Sequence, residues 1–191
     1  MTKGWHGDTL RHSLAARGIS TKGMRKQLTS RFHIAKFKSL NKKDPVNEWI
    51  ADVDLKGGGK IAIADIQQGT YDESYLDFDG RDPQELIGFV HYHPSNVYPV
   101  FSIADYYLAV QLDDLRLKSN LEKTDGYTLM GLITDDKVKI FLLKPSKDTK
   151  AVLKKMASAK MNPSKELKEV AKLKVDLKKS GELIVLKEAK L

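Results

Sequence analysis

The sequence contains no cysteine, and this absence excludes several kinds of chemistry at once. Without thiols the chain has no disulfide bond, no cysteine-ligated zinc and no thiol nucleophile. The zinc site of the nucleobase deaminases, which includes cysteine ligands, is excluded for the same reason. Histidine, aspartate and glutamate therefore remain as the strong ligands for a metal ion.

Histidine is also scarce, with five in 191 residues, and none follows His93. A cupin-type metal site would want a further histidine downstream, so that class of site is disfavoured. Amidohydrolase barrels also use paired histidines, but they need a longer chain. His6, His12 and His33 lie in basic, polar surroundings and are interpreted as solvated surface residues.

Long apolar runs are missing too. No run approaches the roughly 20 residues that a membrane-spanning helix needs. The first residues, MTKGWH, lack the apolar stretch of a signal peptide. These features predict a cytoplasmic protein with no membrane association. With 41% hydrophobic and 30% charged residues, the chain is expected to form one globular domain with extensions.

The formal net charge of +8 is distributed unevenly. Residues 1–43 hold eleven basic residues and one acid, and residues 144–191 hold fourteen and six. Between these two basic arms, residues 44–143 hold eight basic and eighteen acidic residues. The basic arms predict an acidic partner or nucleic acid, although no aromatic residues alternate with the lysines as stacking platforms.

Apolar periodicity predicts a mixture of strands and helices. Strands are expected at 47–55, 60–67, 71–78, 86–93, 127–134, 138–143 and 183–186. Helices are expected at 24–40, 103–117, 149–161 and 164–177. The last two helices are rich in lysine, and they are expected either to dock as a pair on the core or to form an interaction arm.

The stretch 91–105, HYHPSNVYPVFSIAD, holds the densest group of reactive side chains. A strand that continues through His93 places His91 and His93 on one face. Ser102 and Asp105 are three residues apart, so they share a face at the start of the next helix. Two imidazoles and one carboxylate can thus converge beyond the strand end. With water as the fourth ligand, such a set is typical of catalytic zinc.

A simpler interpretation of each half of this stretch stays open. Ser102 is a good helix N-cap, and Asp105 is favoured in the first turn of a helix by the helix dipole. A lone His-x-His pair also occurs in strands that bind no metal. The combination of the strand, the histidines, a proline-containing loop and Ser-x-x-Asp is more specific than either half.

This combination resembles the signature of the JAMM (JAB/MPN+) zinc metallopeptidases, and the resemblance extends over roughly residues 30–143. The family pattern also includes a glutamate on an earlier strand, some forty residues before the first histidine, where this chain has Glu48. Glu73 and Glu85 are rival candidates for the catalytic base. The family usually has seven residues between the second histidine and the serine, whereas this chain has eight.

The resemblance implies an α/β (α+β) domain of the JAB/MPN type, with a cytidine-deaminase-like mixed sheet flanked by helices. The implied division is a basic N-terminal extension (1–29), the metallopeptidase domain (30–145) and a Lys-rich helical C-terminal extension (146–191). One zinc ion per chain is implied, with His91, His93 and Asp105 as its ligands.

The family's chemistry is hydrolysis of a peptide or isopeptide bond. By resemblance, Glu48 is the general base, Ser102 stabilises the oxyanion, and the substrate is a ubiquitin-like protein linked to lysine. An alternative from another class is a non-catalytic MPN-type scaffold, or a nucleic-acid-associated protein that uses the basic arms.

Overall fold

A computed structural model of the chain describes residues 35, 38–40, 42–43, 46–56, 60–69, 85–94, 97–118 and 127–190. Its strands are β1 (Trp49–Lys56), β2 (Lys60–Gln68), β3 (Leu86–Tyr92), β4 (Thr128–Ile133), β5 (Lys137–Leu143) and β6 (Leu183–Lys190). Its helices are α1 (Ile103–Lys118), α2 (Lys147–Ala157) and α3 (Pro163–Ser180).

The six strands form one mixed sheet in the order β2-β1-β3-β4-β5-β6. Neighbouring strands are antiparallel except for β3 and β4, which are parallel and lie at the centre. Every residue of these two central strands is buried, as expected for parallel strands covered on both faces. At Gly88 a Cβ atom would lie 1.9 Å from the Leu129 carbonyl oxygen, so glycine is required for this close pairing.

Strand alternation separates the core into two clusters, one on each face of the sheet. On one face, Phe89 and Leu132 pack with residues of all three helices, including Tyr106, Leu153 and Leu177. The opposite face carries a second cluster of mainly branched aliphatic side chains and Tyr92. The site residues described below belong to the helix-covered face.

The predicted mixed α/β architecture is confirmed, and so are most of its elements. The strand predicted at 71–78, most of the helix predicted at 24–40, and Glu73 lie outside the described residues, as do His6, His12 and His33. β6 runs to Lys190, four residues further than its apolar pattern indicates. Within the described ranges, no helix is both long and apolar enough to cross a membrane.

The C-terminal segment packs on the same sheet as the rest of the fold. β6 pairs antiparallel with β5 along its whole length, from Lys137↔Lys190 to Leu143↔Leu183. The two helices of this segment have regular ends. Ser146 is the N-cap of α2, Asn162 is the N-cap of α3, and Gly181 ends α3 in the left-handed conformation. Of the two alternatives for this segment, the docked helix pair describes the structure.

Leu153→Ala in α2 tests whether this helix is part of the core. Leu153 is fully buried in the helix-side cluster, so its truncation should lower the free energy of unfolding by about 2–5 kcal/mol. The neighbouring Val152 is 51% exposed, and Val152→Ala is the matched control, with a change of about 0.5 kcal/mol or less. Urea unfolding of both variants decides: equal stabilities would mean that α2 does not contribute to the core.

Candidate metal centre

The pairing of β1 with β3 brings the first carboxylate to the histidines. Trp49 pairs with Tyr92 and Ile50 pairs with His91. Continuing the same antiparallel register by one residue places Glu48 opposite His93, just beyond the paired ends of both strands. Because Glu48 is two residues from Ile50, its side chain faces the same side of the sheet as both histidines.

Glu48, His91 and His93 form a buried group that could hold a metal ion. Glu48 Oε2 lies 2.7 Å from His91 Nε2, and Glu48 Oε1 lies 3.4 Å from His93 Nε2. The two imidazole rings meet edge to face, with their centroids 4.5 Å apart. One ligand atom from each residue lies within 4.8 Å of the others, and all three side chains are buried.

Asp105 binds His91 from the other side of the ring. Its Oδ1 lies 2.8 Å from His91 Nδ1, so the two nitrogens of His91 contact two different carboxylates. A carboxylate accepts hydrogen bonds, so His91 Nδ1 carries the donated proton. In this arrangement Asp105 orients the ring of His91, and Glu48 contacts the opposite nitrogen, Nε2.

Ser102 and Asp105 also form a reciprocal cap at the start of α1. The Ser102 backbone N–H and hydroxyl donate to Asp105 Oδ2 at 2.7 and 2.9 Å. The Asp105 backbone N–H donates to Ser102 Oγ at 3.1 Å. This is the geometry of a capping box, with aspartate in the glutamate position. The capping role and the contact with His91 therefore coexist in the same two residues.

A backbone carbonyl fixes the orientation of His93. The Tyr98 carbonyl oxygen lies 2.8 Å from His93 Nδ1. A carbonyl can only accept, so Nδ1 carries the proton of the neutral ring. His93 Nε2 then presents its lone pair towards Glu48, as a metal ligand would require.

The electrostatics of the group favour one positive charge at its centre. Burial alone would lower the pKa of His91, but Asp105 and Glu48 outweigh it and raise that pKa to about 10. Burial would raise the pKa of Asp105, yet the charge and hydrogen bond of His91 lower it. Burial and the neighbouring charge on His91 lower the pKa of His93. A charged and a neutral imidazole thus share this site.

The structure brings together all five residues that the sequence singles out. It groups Glu48, rather than Asp105, with the Nε2 atoms of the histidines, and the predicted role of Asp105 as a metal ligand stays a prediction. The rival Glu85 immediately precedes the other end of β3 and binds Lys56 instead. Glu73 lies outside the described residues.

Three contacts of this site have no signal in the sequence. The Tyr98 carbonyl is a backbone group, which any residue type could supply. Glu166 of α3 accepts a hydrogen bond from the Ile103 N–H at 3.0 Å, at the first residue of α1. Lys139 of β5 donates to the Pro99 carbonyl, next to Tyr98. The last two contacts join distant parts of the chain, so local patterns do not predict them.

Ser102→Ala should destabilise the start of α1, because it removes both side-chain hydrogen bonds of the cap. The expected loss is about 1 kcal/mol of unfolding free energy. Ser146→Ala is the matched control, since Ser146 caps α2 by accepting from the Thr149 N–H at 3.2 Å. Ser146 is exposed and Ser102 is half-buried, so the loss at Ser102 should be the larger of the two. Thermal unfolding with no loss at Ser102 would contradict the capping role.

Comparison with known proteins identifies no relative of this chain. No protein-family model, no curated protein and no solved structure matches it. The resemblance to the JAMM metallopeptidases therefore depends on the motif residues, and the function is argued below from the buried Glu48, His91 and His93 group and its surroundings.

Proposed function

We propose that this chain is a zinc-dependent hydrolase of an amide bond, a JAMM-type metallopeptidase with a JAB/MPN-type fold. One observation carries the proposal: two buried imidazoles and a buried carboxylate converge, and a second carboxylate, that of Asp105, contacts the other nitrogen of His91. Two histidines with one carboxylate are an established ligand set for catalytic zinc. The motif residues noted in the sequence add to this support, although the segment between His93 and Ser102 is one residue longer than in the family.

The donor set fits a divalent cation. The Nε2 atoms of His91 and His93 face the Glu48 carboxylate, and His93 already has the tautomer that a ligand needs. The carboxylates of Glu48 and Asp105 stabilise a positive charge on His91. A bound cation would supply that charge in place of the proton, which His91 Nε2 must release to become a ligand.

Glu48 and Asp105 are two candidates for the third ligand, and each assignment gives the other residue a role. By resemblance, Asp105 completes the ligand set and Glu48 is the base. In the contacts described above, Glu48 is the carboxylate beside both Nε2 atoms. Asp105 then resembles the carboxylate that supports a metal-bound histidine from its far nitrogen.

The proposed reaction assigns steps to residues of this chain. Zinc, when bound, lowers the pKa of water and polarises a carbonyl. Glu48 accepts the proton of the attacking water and donates it to the leaving amine. Ser102 donates its hydroxyl proton to the oxyanion, which requires the hydroxyl to turn away from Asp105. The proposed substrate class, an isopeptide between lysine and a ubiquitin-like protein, rests on the resemblance alone.

Zinc content and hydrolysis, measured together, test this proposal. His93→Ala should lose zinc, because it removes a ligand. Glu48→Gln should keep zinc but hydrolyse a ubiquitin-like isopeptide substrate at least about 100-fold more slowly, because glutamine cannot accept the proton. Glu85→Gln is the matched control, since it makes the same change near the other end of β3, and it should behave as wild type.

The two ligand assignments give different results in this experiment. If Asp105→Asn loses zinc while Glu48→Gln keeps it, Asp105 is the third ligand. If the two variants behave in the opposite way, Glu48 is the ligand and the proposed base is wrong, whereas the metal site stands. A wild-type chain that neither binds zinc nor cleaves an amide would contradict the proposed function.

A second candidate function, nucleic-acid binding, is favoured by the exposed face of α3. Four exposed lysines recur there at helical spacing, Lys165, Lys168, Lys172 and Lys179. None of them forms an ion pair within the described part of the chain, and Glu169 and Asp176 are the acidic residues at helical spacing from them. At about 1.5 Å per residue the row is about 21 Å long. A row of this length could follow several phosphates of a single strand.

Replacing these four lysines with glutamine should weaken the binding of single-stranded nucleic acid. Each lost phosphate contact reduces the slope of log K against log salt by about 0.7. The control variant changes four other exposed lysines to glutamine, Lys147, Lys154, Lys155 and Lys160. Fluorescence anisotropy at several salt concentrations measures both slopes. Equal slopes would mean that binding, if any, follows net charge and not this face of α3.

A further inference from the structure

Lys139 lies on β5, next to the edge strand β6, and on the same row of the sheet as His91. In the strand register His91 pairs with Leu132, and Leu132 pairs with Lys139. Two strand spacings separate the histidine from the lysine, about 10 Å, and both side chains face the helices. The Lys139 side chain is only 12% exposed. An ammonium group buried to this degree needs specific partners.

One partner of Lys139 belongs to the loop that orients His93. Lys139 Nζ donates to the carbonyl of Pro99. The neighbouring Tyr98 carbonyl accepts from His93 Nδ1 and from the Val100 N–H, both at 2.8 Å. The bond from Val100 to Tyr98 closes a three-residue γ-turn around Pro99. The proline ring fixes the φ torsion of the central residue of this turn, and Lys139 binds the carbonyl oxygen of that same residue.

A second partner of Lys139 comes from the C-terminal segment. Glu188 of β6 pairs with Lys139 in the strand register, and its Oε1 lies 3.6 Å from Lys139 Nζ. Both carboxylate oxygens of Glu188 also accept from Lys174 of α3 at 3.0 Å. A continuous set of contacts therefore runs from α3 through Glu188 and Lys139 to the turn beside His93.

We propose that Lys139 is a positioning residue for His93: it holds the Pro99 turn so that the Tyr98 carbonyl keeps the proton of His93 on Nδ1 and the Nε2 lone pair towards Glu48. The proposal rests on the proposed function in one respect, that Nε2 of His93 is a metal ligand. The positioning itself is a property of the metal-free chain, and it can be measured without activity.

The physical reason is that removing the lysine breaks two hydrogen bonds in succession. The first joins Lys139 to the Pro99 carbonyl, and the second joins His93 Nδ1 to the Tyr98 carbonyl. Without an ammonium donor, the Pro99 carbonyl loses its partner, and the turn can rotate to find water. Rotation moves the Tyr98 carbonyl away from His93 Nδ1. The ring then has no reason to keep its proton there, and a proton on Nε2 blocks the lone pair that a metal ion would use.

The test compares Lys139→Met with Lys139→Arg and Lys137→Met. Lys137 lies on the same strand, its side chain is 39% exposed, and its nearest acidic partner, Asp136, is 3.9 Å away, so its replacement is the control for charge and residue type. Correlation spectra of the histidine ring nitrogens in the metal-free protein report which nitrogen of His93 carries the proton. Amide spectra of each variant report whether the fold is intact.

We expect a single Nδ1–H tautomer of His93 in wild type and in Lys137→Met, its loss in Lys139→Met, and its recovery in Lys139→Arg. The dissociation constant for zinc, measured by chelator competition, should rise roughly 10-fold in Lys139→Met alone. An unchanged tautomer in a folded Lys139→Met variant would overturn the proposal. If that variant does not fold, Lys139→Gln replaces it, because glutamine is too short to reach Pro99 but leaves a polar group near Glu188.

The two proposals fail separately. If wild type binds no zinc and cleaves no amide, the proposed function fails, while the tautomer comparison still decides the role of Lys139. If zinc binds and the tautomer is insensitive to Lys139, the function stands and the positioning role is wrong.

Discussion

The site depends on the antiparallel register between β1 and β3. This register sets Ile50 against His91, and its continuation sets Glu48 against His93. Because side chains alternate between the two faces of a strand, a slip of one residue would move Glu48 to the opposite face, away from both imidazoles. The buried side chains of Ile50 and Phe89 select the correct register, because the same slip would take Ile50 out of the helix-side core.

Burial then determines what these side chains can do. A carboxylate or an imidazolium inside a protein is costly unless its charge is balanced. Here the carboxylates of Glu48 and Asp105 both balance the positive charge of His91. The backbone N–H and the hydroxyl of Ser102 donate to the remaining oxygen of Asp105. The group is therefore a closed network in which every member has a partner. Changing one carboxylate alters the protonation of the other members.

Much of this arrangement follows from local patterns in the sequence. Period-2 alternation predicts that His91 and His93 share a face, and a spacing of three predicts that Ser102 and Asp105 share one. Glu48 was identified by its distance from the motif and by a resemblance, and the strand pairing gives the physical reason for its place. The pattern could not show which nitrogen of His91 each carboxylate contacts, because that depends on side-chain packing.

The contribution of the C-terminal segment was the harder part to predict. The lysines of this segment give it the composition of a solvated arm, and the short apolar run 183–186 accounts for only half of β6. Lys139 stands in the alternating stretch KVKIFLL, where a lysine usually marks the solvent side. Its side chain faces the helices instead, because Glu188 and Pro99 are there to bind it. Such pairings between distant residues have no local signature.

The position of β6 at the edge of the sheet has a consequence for how the site forms during folding. The motif residues of β3 and α1 are synthesised long before Glu188, which lies 49 residues after Lys139. Contacts between residues this far apart in sequence carry a loop-closure cost, and they form more slowly than local contacts. A chain emerging from the ribosome would thus contain both histidines well before the contacts that brace Lys139 exist. The complete site can therefore assemble only after β6 has been synthesised and has paired with β5.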